Sequence, residues 1–71
     1  MEIEKLIKMA NQIGDFFEAY PDAELAKKDI ANHLQRFWNS VMIKSIVAHV
    51  KQQQGVGLHP RVVEAIRQHI N

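Results

Sequence analysis

The chain has no cysteine, which excludes disulfides and thiolate metal sites, the two staples that small scaffolds commonly use. Its 71 residues include only two prolines and three glycines, so few backbone breaks are available and long regular elements are favoured. Neither sign of charge dominates: nine Lys and Arg stand against eight Asp and Glu, for a net charge of +1. Binding to a phosphate backbone by counterion release normally needs a cationic surplus, so nucleic acid is not an expected partner. No apolar run approaches the roughly 20 residues of a membrane span, and no membrane is expected either. The opening stretch MEIEKLIKMANQ sets Glu2, Glu4, Lys5 and Lys8 among its apolar residues and does not read as a signal or transit peptide. A cytoplasmic protein is therefore expected. There is also no strand-like alternation, internal repeat or low-complexity tract.

What is present is the composition of a folded chain, 46% hydrophobic and 24% charged, at a length that allows one small domain over residues 1–71 and no cofactor-binding fold besides. Apolar residues at Ile3, Leu6, Ile7, Ala10, Ile13, Phe17 and Tyr20 keep the three-and-four spacing of one helical face, and Pro21 stops the pattern. Met9 and Phe16 widen that apolar arc, while Ala10 and Gly14 are small enough for another helix to come close. A second helix is expected from Asp22, as N-cap, to about Phe37, with Ala23, Ala26, Ile30, Leu34 and Phe37 inward. Asn39 and Ser40 interrupt it with two good capping residues. Met42, Ile43, Ile46, Val47 and Val50 then form the apolar side of a third helix that runs to about Gln53. Residues 54–59 form a glycine-containing break, with Gly55 suited to a left-handed helix end. A fourth helix starts at Pro60 and continues through Val62, Val63, Ile66 and Ile70. Four short helices joined by short connections predict an all-α fold, a small compact bundle. Standing behind two glycines, the last helix is the element expected to move or to dock elsewhere.

Catalytic chemistry finds little support in this pattern. The four histidines, His33, His49, His59 and His69, include no pair at the one-turn spacing that sets two metal ligands on one face. Asp15 and Glu18 lie opposite the apolar stripe of the first helix, where a solvated face is expected rather than an acid and base pair. Ser40 and Ser45 lack the Gly-x-Ser-x-Gly turn of an activated nucleophile, and capping is the expected role of Ser40. Gly55-Val56-Gly57 has no preceding strand with which to cradle a phosphate. Phe37 and Trp38 are more informative. If both were helical they would point about 100° apart, so one of them is left for another element or another chain.

MANQI at Met9–Ile13, Phe16-Phe17, Ile30-Ala31 with His33, Phe37-Trp38 and GLHP at Gly57–Pro60 occur in order over nearly the whole chain. In this combination the sequence resembles the delta subunit of NAD-dependent formate dehydrogenase. The resemblance implies a cytoplasmic, non-catalytic accessory subunit that supports assembly or stability of a complex and binds no cofactor itself. The molybdenum cofactor, iron–sulfur clusters, FMN and NAD would belong to partner subunits, and the implied partner is the large catalytic subunit. Where that family usually carries Pro-Arg-Met-Arg, this chain has Ser40-Val41-Met42-Ile43, which removes two guanidinium groups and makes the third helix more apolar. Met9, Phe16, Trp38, Met42, Ile43, Leu58 and His59 are the expected partner-binding residues. The alternative is a self-associating helical module, a homo-oligomer with no redox partner.

Overall fold

The computed structural model describes residues 2–70. In it α1 spans Ile3–Phe17, α2 Ala23–Phe37, α3 Ser40–Gln53 and α4 Pro60–Ala65, and a π-helical segment, Ile66–Ile70, continues α4. No strand occurs among the described residues. The radius of gyration is 10.8 Å, close to the roughly 11 Å of a compact chain of this length, so no arm projects from the bundle.

Each boundary has a local cause. The Asp22 carboxylate accepts hydrogen bonds from the amides of Glu24 and Leu25 and starts α2, and the Asn39 side chain accepts from the Met42 amide and starts α3. Asn39 therefore takes the capping role assigned above to Ser40, which is already helical. Gln54 and Gly55 both adopt left-handed backbone, at φ 58° and 72°, and the Gly55 amide bonds back to the His49 carbonyl to close α3. The left-handed end thus begins one residue before the expected glycine. Likewise α1 stops at Phe17 rather than at Tyr20. The Glu18 and Tyr20 amides reach the carbonyls of Asp15 and Phe17, three residues back, which tightens the chain ahead of Pro21.

The core is wholly apolar. Leu6, Ala10, Ala26, Ile30, Leu34, Ile46, Val62, Ala65 and Ile66 are fully buried, and among the described residues no polar or charged one joins them. Three of these belong to the last helical stretch, which packs on α1, α2 and α3. The expectation that this element stands apart is thereby corrected. The glycines reverse the chain so that α4 can re-enter the bundle, and Gly14 is what admits it. A Cβ added at Gly14 would lie 2.5 Å from Val62 Cγ2, so α1 and α4 meet at a notch that only glycine leaves open.

Asn11 fastens the loop that leads there. Its amide donates to the Gly57 carbonyl at 2.9 Å and its oxygen accepts from the His59 amide at 2.8 Å. MANQI and GLHP, which lie 46 to 48 residues apart in these two bonds, are thus one contact in space. A His49 ring nitrogen also lies 2.7 Å from the Val56 carbonyl, which holds the same loop from the α3 side.

Candidate partner-docking surface

The most conspicuous surface feature is aromatic. Phe17 anchors it: buried in the core, it meets Phe16 and Tyr20 edge-on with ring centroids 5.1 Å away in both cases. Its centroid lies 6.5 Å from the His33 ring, which in turn lies 4.7 Å from Phe37. The result is a connected series of rings across α1 and α2, supported from beneath by Phe17 and His33. The outer two project into water, Phe16 at 75% exposure and Phe37 at 68%. Leaving a phenyl ring wet forgoes about 1.5–3 kcal/mol of burial, and these two rings border the same hollow. Two shallow hollows adjoin them, of about 220 Å³ beside Gln12 and Ile13 and about 430 Å³ beside Asn32 and Arg36.

Phe37 was expected inward, with Trp38 open equally to this chain's own core and to a partner; the structure puts Trp38 inward and Phe37 outward. Helix α2 ends between the two: Trp38 takes extended backbone, φ −94° and ψ 141°, while its amide still bonds to the Leu34 carbonyl. The turn carries the indole back over the core, where it is 8% exposed. Phe37 keeps the angular position of Ile30, but at the end of the helix it leans only on the half-buried His33 ring and is left largely exposed, as is Ala23 at the other end.

The other residues expected at a partner scatter. Leu58 is buried at 9% exposure, in the core cluster with Trp38. Met9, Met42 and Ile43 are half-buried against that cluster. His59 is half-buried too, with Nε2 2.9 Å from Asp15 Oδ1. Among the seven, only Phe16 lies in the aromatic surface.

His59 and Asp15 border a further hollow of about 490 Å³, together with Glu18, Lys27, Arg61 and Glu64. Asp15, Lys27, Arg61 and Glu64 each engage a neighbouring side chain or the backbone. Lys27 Nζ lies 2.8 Å from Glu64 and 3.0 Å from Glu24. The hydrogen bond to Glu64 and then that to Glu24 raise the Lys27 pKa, while the same lysine lowers the pKa of Glu64. Arg61 Nη1 lies 3.4 Å from the carbonyls of Phe17 and Glu18 and so covers the open end of α1. An acid beside a histidine is half of a hydrolytic triad, but no Ser, Thr or Cys lines this hollow, and no nucleophile is there for the pair to activate. The cluster braces α1, α2 and α4 against each other. Sequence reading missed these contacts because their members are 37 residues or more apart, Lys27 to Glu64 and Asp15 to His59, beyond any one-helix spacing. Among the described residues no group of three or more His, Cys, Asp or Glu could hold a metal ion, and no helix is long and apolar enough to cross a membrane.

The family model for the NADH-dependent formate dehydrogenase delta subunit FdsD matches residues 5–71. The chain belongs to this family. No curated protein and no solved structure gives a significant match. Membership of the FdsD family associates the chain with a formate dehydrogenase complex and makes an all-apolar core with an aromatic exterior intelligible, because a subunit needs a surface to present more than it needs a cavity.

Proposed function

We propose that this chain is a non-catalytic accessory subunit that docks on the large catalytic subunit of a formate dehydrogenase and supports the assembly or stability of the complex. Phe16 and Phe37 are the contact residues. The observation that carries the reading is their joint exposure above the buried Phe17 ring and the half-buried His33 ring, an arrangement suited to a desolvating anchor at an interface. The molybdenum cofactor, iron–sulfur clusters, FMN and NAD that formate oxidation by such a complex would use are assigned to the partner chains.

Purification of the native complex from cells in which this chain carries an affinity tag, with the mass of every co-purifying chain determined, tests the reading. The large subunit is expected in the eluate, and the double variant Phe16→Ala/Phe37→Ala should weaken its capture by about 100-fold or more, since hot-spot aromatics contribute about 2 kcal/mol or more each. Absence of the large subunit from the wild-type eluate overturns the proposal, as does an eluate that contains only further copies of this chain.

A further inference from the structure

A second surface lies between α3 and the π-helical segment, away from the aromatic rings. Two hollows meet there, of about 340 Å³ and 410 Å³, and share Val47 and Lys51 in their walls. Half-buried Ile43, Val47 and Ile70 give this surface an aliphatic floor, with the buried Val50 and Ile66 beneath. The rim is cationic: Lys44 and Lys51 stand along α3, and Arg67 stands on the facing segment. No Asp or Glu occurs anywhere between residues 30 and 63, and none lines either hollow. Among the described residues Lys44, Lys51 and Arg67 form no ion pair, although the charge of Arg67 contributes to the lowered pKa of Glu64.

We propose that this groove receives an acidic amphipathic helix of another polypeptide in the complex, an inference that rests on the chain being a subunit as argued above. The aliphatic floor asks for apolar side chains and the three cations ask for carboxylates beside them. A groove between two helical walls accepts a third helix by interleaving of side-chain ridges. Lys44 and Lys51 are two turns apart on α3, about 10.5 Å along its axis, so Asp or Glu at positions i and i+7 of a helix lying alongside would meet both. A second copy of this chain fits poorly, because a two-fold contact through this face would set the lysines against themselves. Nucleic acid fits poorly as well, since three cations around an apolar floor offer phosphates little continuous support.

The test uses the complex captured through the tagged full-length chain. Carbodiimide, which joins an amine directly to a carboxylate, is expected to link Lys44 or Lys51 to an Asp or Glu of another subunit, located by mass spectrometry. Lys44→Glu/Lys51→Glu should lower capture of the complex by about tenfold or more at low salt, and Lys44→Gln/Lys51→Gln by less, with unchanged far-ultraviolet circular dichroism in both. Wild-type capture by the charge-reversed variant, together with no lysine cross-link, overturns the inference while leaving the docking through Phe16 and Phe37 standing. If the wild-type chain captures nothing, the proposed function itself fails. Binding of a duplex oligonucleotide to the isolated chain, or a dimer of the isolated chain that the charge reversal abolishes, would assign the cations elsewhere and overturn it too.

Discussion

Gly14 sets the distance at which α1 and α4 cross. The Val62 methyl that a new Cβ would strike belongs to a fully buried, β-branched side chain, which has no free rotamer into which to retreat. Gly14→Ala should therefore destabilise the protein by about 1–3 kcal/mol in urea unfolding, even though alanine is the better helix former by about 1 kcal/mol. Adding Val62→Ala should recover part of that loss, which distinguishes a steric notch from a backbone requirement. Trp38 and Phe37 make the complementary comparison. Trp38→Ala, which empties a core site, should cost about 3–5 kcal/mol, whereas Phe37→Ala removes a largely exposed ring and should change stability by only about 0.5 kcal/mol. Two neighbouring aromatic residues would thus report separately on the fold and on the surface. Sequence spacing ranks them the other way round, because it supplies an angle about a helix axis but not the point at which the helix stops.

At the scale of elements, side chains distant in sequence hold the helices together. Asn11 satisfies both the Gly57 carbonyl and the His59 amide. Asn11→Leu would leave both without this partner and should cost about 1–3 kcal/mol in thermal or urea unfolding. The Lys27–Glu64 bridge between α2 and α4 gives a pH signature. The Glu64 pKa is lowered in the folded chain, so its contribution is complete above the unfolded carboxylate pKa and is lost as pH falls through the lower folded value. For Lys27 the pKa is raised, so the contribution is complete below the unfolded lysine pKa and is lost as pH rises through the folded value. Urea midpoints of the wild type and Glu64→Gln should accordingly differ most near neutrality and converge in acid. The element boundaries were mostly legible: Asp22, Asn39 and Pro60 each mark a helix start by local chemistry, as expected from their residue types. The end of α1 was not, because the apolar period continues to Tyr20 although the backbone has already tightened. Nor was the place of α4, since a glycine break announces a reversal without saying what the reversed segment will meet.

For the whole molecule, the all-α bundle follows from the apolar periods, and its family from motifs that run nearly the length of the chain. The aromatic surface was half legible. Phe16 lies outside the arc that one packing neighbour uses, which the spacing alone conveys, but its companion Phe37 depends on where α2 ends relative to the bundle. Arg61, in contact with the last carbonyls of α1, ties that surface to α4. Arg61→Ala should loosen the end of α1, seen as faster amide exchange at Glu18 to Tyr20, and weaken capture of the large subunit several-fold without removing either exposed phenyl ring.

The union of Asn11 with Gly57 and His59, and of Gly14 with Val62, also bears on how the bundle closes. Helix α1 has its anchoring partners 46 to 48 residues further along the chain, and the helix behind them supplies Val62, Ala65 and Ile66 to the interior. The core is therefore completed only when a long loop between the first and last helices has been closed, an entropic toll that slows folding more than it weakens the folded state.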